Sequence, residues 1–238
     1  MGQMETYEEI GRIIAEKGID LSTFFGYCIT KDKSFLEMPI ETKAKFDISF
    51  DKLKSNFKTT KEKGDALENL ARYLTYSNEN LFNLKTNVKT SSNEIDLFLT
   101  PSDKGKILFN TYYKFIGNGI LCECKNYNKN LGVTYVGKFS SLLRLSEFKI
   151  GIIFTLKGLT GPSKWKDSKG LIRKIALKEG IYILDFTLED YKKIKENGAV
   201  FLDMVENKYT ALKNDIDYDD FIIKHEAEDE YKRINGIK

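Results

Sequence analysis

Gly119-Ile120-Leu121-Cys122-Glu123-Cys124-Lys125-Asn126-Tyr127 is the stretch on which the reading of the fold turns. An apolar run, Gly119 to Cys122, leads straight into two charged residues spaced two apart. Side chains of a β-strand alternate between faces, so Leu121, Glu123 and Lys125 share one side and Cys122 and Cys124 the other. The cysteines then act as small core hydrophobes under covering helices. Glu123 and Lys125 stand about 7 Å apart on the opposite face. Glu-x-Lys alone says little here, because seven Asp/Glu-x-Lys triplets occur, beginning at Glu41, Glu123, Glu147, Asp167, Asp190, Glu206 and Glu230. Six of the seven fall in segments that read as helix, loop or acidic tail, and only Glu123-Cys124-Lys125 ends an apolar strand.

Working outward, NEIDLFLT (93–100) alternates Ile95, Leu97 and Leu99 against Glu94, Asp96 and Phe98, which predicts a strand with Asp96 on the face away from the core. LFNLKTNVKT (81–90) alternates less cleanly and reads as a strand burying Phe82, Leu84 and Val88. Before it, KEKGDALENLARYLTYS (61–77) sets Ala66, Leu67, Leu70, Ala71 and Leu74 at helical spacing. PSDKGK (101–106) reads as a turn, with a helical patch around TYYKF (111–115). Beyond the motif, VTYVGKFSSLLRLSEF (133–148) fits a helix on a sheet through Val136, Phe139, Leu142, Leu143 and Phe148. GIIFTL (151–156) reads as a buried strand, SKGLIRKIALKEG (168–180) as a helix ended by Gly180, IYILDFT (181–187) as a strand and LEDYKKIKENG (188–198) as a helix. The order α-β-β-β-α-β-α-β-α predicts an α/β fold with a mixed central sheet flanked by helices. Residues 59–200 form this core. Residues 1–58 are set apart as a mostly helical N-terminal extension opening with an amphipathic helix (Tyr7, Ile10, Ile13, Ile14), and 201–238 as an acidic C-terminal segment.

Composition narrows the chemistry. Charged residues make up 31% and hydrophobic ones 41% of 238, an ordinary globular mix. No apolar run approaches the roughly 20 residues that span a bilayer, and the start lacks signal-peptide character, so a cytoplasmic protein without membrane contact is expected. Three cysteines, two of them close together on one strand, argue against a disulfide framework, and with a single histidine they make a structural zinc site a poor fit. That histidine, His225, lies in the acidic run IIKHEAEDE and reads as a solvated surface residue, which leaves carboxylates, lysines and hydroxyls for any catalysis. Net charge is +3, but residues 101–180 hold 15 basic against 5 acidic residues while the rest hold 23 against 30. A basic middle on an acidic chain suggests a surface for a polyanion.

If the two strands are neighbours, Asp96 and Glu123 converge on one cation. Mg²⁺, with Mn²⁺ as a substitute, takes hard oxygen donors from one or two carboxylates and completes its shell with water and substrate phosphate. The Cys124 backbone carbonyl offers one more oxygen. Lys125 would hold and help deprotonate an attacking water and offset phosphate charge.

KGDALENLARYL, then NEIDLFLT, then GILCECKNYNKNLGVTYVGKFSSLL and GIIFTLKGLTG together resemble the catalytic domain of Mrr-type restriction endonucleases, within the PD-(D/E)XK nuclease superfamily. The resemblance covers about residues 60–190, with EIDL and ECKNY its most specific parts, and Ile95 in place of the proline before Asp96. It implies a restriction-endonuclease-like core, αβββαβ, with Asp96, Glu123 and Lys125 as the catalytic set. It also implies Glu68, on the helix before the sheet, as a further acid reaching a metal through water.

Further candidates surround this set. Asn126 and Tyr127 follow the lysine and are expected to touch phosphate or sugar; Lys138 lies on the next helix. Lys157 and Lys164 belong to the Gly- and Lys-rich loop KGLTGPSKWK, with Trp165 available for stacking. DIDYDD (215–220) lacks the glycine and distal glutamate of a calcium loop and reads as acidic surface. The expectation is a Mg²⁺-dependent DNA endonuclease acting in restriction or defence against foreign DNA. The alternatives are a non-cleaving nucleic-acid-binding module of the same fold, or a nuclease for branched DNA or RNA. A homodimer and an unidentified regulatory or specificity partner stay open.

Overall fold

The computed structural model describes residues 3–20, 23–24, 26–27, 31, 33–89, 94–161 and 167–214. A five-stranded sheet runs β1 (Phe82–Lys89), β2 (Glu94–Pro101), β3 (Ile120–Lys125), β4 (Ile150–Thr155), β5 (Tyr182–Phe186), with strands adjacent in the order they occur in the chain. β1–β2 and β2–β3 are antiparallel; β3–β4 and β4–β5 are parallel. The parallel half follows from its connections, since each parallel step needs a crossover long enough to hold a helix. Those helices are α5 (Val133–Ser146) and α6 (Ser168–Glu179). They cover one face of the sheet, where Val136, Phe139, Leu143, Ile172 and Ile175 pack on Leu121, Ile153 and Ile183. β4 lies between two parallel neighbours and all six of its residues are buried, as its unbroken apolar run requires.

The other face carries the larger core. α2 (Ile40–Lys52), α3 (Thr60–Leu74), α4 (Asp103–Thr111), α7 (Leu188–Asn197) and α8 (Phe201–Lys213) enclose Leu97, Leu99, Ile120, Cys122, Cys124, Ile152 and Phe154. α3 starts at Thr59, whose hydroxyl accepts from the Glu62 N–H at 3.1 Å while Glu62 Oε2 accepts from the Lys58 N–H at 2.9 Å. Its buried residues are the five that the spacing predicts, Ala66, Leu67, Leu70, Ala71 and Leu74.

Several segments differ from the sequence reading. PSDKGK is not a free turn. Ser102 caps α4 by accepting from the Gly105 N–H at 3.0 Å, and a Cβ on Gly105 would lie 2.0 Å from the Leu81 carbonyl oxygen, so a glycine in the first helical turn lets the helix seat against the chain. The patch expected at 111–115 is only a 3-10 turn, Lys114–Ile116. Residues 201–213 fold as α8, with Phe201, Leu202, Met204, Val205 and Ala211 buried; the acidic runs begin after Asn214, outside the described residues, and so does His225. α2 places Phe46 and Phe50 in the same core as α3 rather than in a body of its own. Phe82, Leu84 and Val88 are half-buried, as suits an edge strand. α1 (Gln3–Glu16) forms, but Ile10 and Ile13 are exposed and Ile14 is half-buried; the side chain of Tyr7 and the whole of Cys28 lie outside the described residues. Among the described residues no helix is long and apolar enough to cross a membrane.

Candidate active site at the end of the third strand

β2 and β3 pair as Leu99 with Ile120, Phe98 with Leu121 and Leu97 with Cys122. One further step would set Asp96 opposite Glu123, but the ladder stops at Leu97. On its other side β2 pairs with β1 from Pro101 to Leu97 and again at Ile95 and Glu94, skipping Asp96 and its opposite number Asn87. Asn87 has a left-handed backbone, φ 51°. Asp96 therefore sits where β2 is released by both neighbours. The strand crosses the sheet at that point: Leu97 and Leu99 bury under α3, whereas Ile95 buries on the α5–α6 side. The released carboxylate turns to β3, and Asp96 Oδ2 accepts from the Cys124 N–H at 2.6 Å.

Lys125 Nζ lies 2.5 Å from Glu123 Oε1 and 3.7 Å from Asp96 Oδ2. The three side chains are 25% (Lys125), 19% (Glu123) and 13% (Asp96) exposed, so they interact in a partly dry setting where charge counts for more than in water. Glu123 Oε2 is buried without a hydrogen-bond partner. Burial, and then the Asp96 charge, push the Glu123 carboxyl above its ordinary range despite the adjacent ammonium. Burial works against the Lys125 charge too, yet Glu123 and Asp96 together hold its ammonium above the usual lysine value. Glu68, one helical layer over on α3, is likewise raised, by burial first and by Asp96 next. Like charges are thus gathered about one point, with a lysine between them.

Among the described residues no three His, Cys, Asp or Glu side chains could hold a metal ion by themselves. Two carboxylates, one with an unpartnered buried oxygen, fit a hard cation that draws most of its shell from water and phosphate. Cys122 and Cys124 do not fit as thiolate ligands: both are buried, and burial holds their thiols well above the ordinary value. At Cys124 the contact toward the site is made by its N–H.

The residues after the lysine divide by role. Asn126 is 8% exposed and turned inward, its Nδ2 donating to the Lys63 carbonyl at 2.7 Å, so it presents no surface to a nucleic acid. Asn128 Oδ1 accepts from Lys63 Nζ. Asn130 Nδ2 donates to the carbonyls of Lys157 (2.6 Å) and Leu159 (3.3 Å), joining the loops that follow β3 and β4. Tyr127 is half-buried beside the site, and its hydroxyl shares a hydrogen bond with that of Tyr135 at 3.2 Å. Lys138, on α5, and Lys157, after β4, are exposed. Lys164 and Trp165 lie outside the described residues. Sequence reasoning missed Tyr135, eight residues beyond Tyr127, and Lys63. Lys63 acts partly through a backbone carbonyl, and no residue type announces that.

No family model matches the chain, and no curated protein matches it. A solved structure found to be similar is titled "DNA modification-dependent restriction endonuclease AspBHI", at 14% sequence identity and a TM-score of 0.30, over 78% of this chain and 43% of that one. The chain spans less than half of that protein's length.

Proposed function

We propose that this protein is a metal-dependent DNA endonuclease that hydrolyses phosphodiester bonds, acting in restriction or defence against foreign DNA. The observation that carries the reading is the convergence of Asp96, Glu123 and Lys125 where the β2–β3 ladder ends, with a buried, unpartnered oxygen on Glu123. Its element order around the sheet, a helix followed by antiparallel and then parallel strands with helical crossovers, suits the restriction-endonuclease-like core implied by the Mrr-type resemblance.

Asp96 and Glu123 would hold Mg²⁺ or Mn²⁺, with the Cys124 carbonyl as a further oxygen and Glu68 acting through water. When bound, such an ion supplies Lewis-acid stabilisation of the phosphoryl oxygens and lowers the pKa of a bound water. Lys125, whose charge Glu123 and Asp96 favour against the cost of burial, orients the attacking water and offsets charge developing on the phosphate. Asp96, tied to the Cys124 N–H, holds its carboxylate in one orientation. Lys138 and Lys157 supply exposed cations for flanking phosphates, which makes binding strongly salt-dependent. A homodimer pairing two such sites would let both strands of a duplex be cut in one encounter.

The test is cleavage of methylated and unmethylated plasmid with Mg²⁺ or Mn²⁺, comparing the native chain with Glu123→Ala. Metal-dependent cutting that drops at least ~100-fold in the variant is expected. Equal activity in the two proteins overturns the assignment. Branched DNA and RNA run in parallel define the substrate class.

A further inference from the structure

We propose that Asn126 is a positioning residue: with Lys63 and Asn128 it clamps the end of the motif strand to α3, and so fixes Glu68 relative to Asp96 and Glu123. Its catalytic consequence rests on the nuclease reading above. Asn126 follows Lys125 directly, and strand alternation carries its side chain inward with Cys122 and Cys124, under α3. There Nδ2 donates to the carbonyl of Lys63, in the first turn of α3. The same Lys63 reaches out with its ammonium to Asn128 Oδ1. One helical residue therefore holds the loop at two points, through its backbone and through its side chain.

Geometry gives the clamp its purpose. Glu68 lies five residues beyond Lys63 on the same helix, about 7.5 Å along the axis. α3 otherwise rests on the sheet through Leu67, Leu70, Ala71 and Leu74, and apolar contact is non-directional. The Asn126 bond is the directional element that sets where along the sheet the helix stops. Asn126 is a poor choice for stability alone, because its Oδ1 is buried with no donor, and a buried unsatisfied acceptor is costly. A carboxamide kept there at that cost serves position. Asp at this place could not donate to the carbonyl, and a smaller apolar residue would leave α3 free to shift.

The experiment compares Asn126→Ala, Glu68→Gln and the double variant in steady-state plasmid cleavage, with amide hydrogen exchange on the wild type and Asn126→Ala. In Asn126→Ala we expect kcat to fall about tenfold or more with KM for plasmid within about twofold. The double variant should be little worse than the poorer single one, because both act on one carboxylate. Exchange over residues 63–69 should quicken about tenfold with no comparable change in β4. A raised KM at unchanged kcat would make Asn126 a nucleic-acid contact and overturn the proposal. Multiplicative losses would overturn the link to Glu68. Unchanged exchange would overturn the clamp itself, whether or not the protein cuts. If the wild type cuts nothing with either metal, the nuclease reading fails, and exchange still decides the clamp. Should Asn126→Ala not fold, Asn128→Ala removes the exposed tether instead; a fall in kcat of about threefold at constant KM is expected, and no change in either constant overturns the proposal.

Discussion

Replacing Glu123 by Gln should abolish cleavage and, at neutral pH, make the protein more stable. The carboxylate is mostly buried, one oxygen has no donor, and Asp96 adds like charge nearby. Against these stands the ammonium of Lys125 at 2.5 Å. Burial and Asp96 win, since the carboxyl is shifted above its ordinary range. A carboxyl raised in the folded state is fully accommodated below its unfolded pKa, near 4.5, and costs stability as pH rises through the folded value. Gln has the same shape and no charge, and Lys125 keeps Asp96 as a counter-ion. Relief of one unsatisfied, repelled carboxylate is worth about 1 kcal/mol, or roughly 2–4 °C in Tm for a chain of this size. The assay is thermal unfolding of both proteins in metal-free buffer at pH 7.5 and pH 4. The variant should melt higher at pH 7.5, and the two should coincide at pH 4. Adding Mg²⁺ should then raise the melting point of the native chain more than that of the variant. A variant that melts lower at pH 7.5 would show that Glu123 and Lys125 form a structural ion pair, and the reasoning would be wrong.

Two further substitutions probe the frame around the site. Tyr191→Phe removes a fully buried hydroxyl that donates to the Phe186 carbonyl at 2.9 Å and lies 3.2 Å from that of Thr155, so urea unfolding should report a loss of about 1–2 kcal/mol. Unchanged stability would mean that these carbonyls find other donors. Gly119→Ala should cost on the order of 3 kcal/mol and lower soluble yield, because φ is +138° and a Cβ would lie 2.1 Å from the Leu99 carbonyl oxygen; a variant as stable as the native chain would refute that close approach.

The legible part of this molecule was its strands and crossovers. Ile95, Leu97 and Leu99 alternate, and β4 is apolar from Ile150 to Phe154, so both patterns speak from the sequence alone. Asp96, Glu123 and Lys125 could be brought together because strand parity and neighbouring strands suffice for that inference. α4 was hidden by its own first turn: Ser, Asp and Gly are turn formers, and only packing against Leu81 shows why glycine is tolerated inside a helix there. α8 was obscured by the acidic run that follows it. The crossing of β2 at Asp96 could not be read at all, because Ile95 and Leu97 look like one face and are divided between two cores across the unpaired step at Asp96 and Asn87. Asn126 shows the same limit, since a polar residue in a turn carries no mark of whether it faces solvent or a helix carbonyl.

The break at Asp96 also has a consequence for how this protein can vary. Beyond it β2 meets β1 at only two pairs, Ile95 with Val88 and Glu94 with Lys89. Those two outer pairs are separated from the register that places the carboxylate: Leu97 to Leu99, anchored on β3, hold the strand beside Asp96. A change of length or chemistry between Lys89 and Glu94 should therefore leave the Asp96–Cys124 contact and the Leu97–Leu99 register as they are.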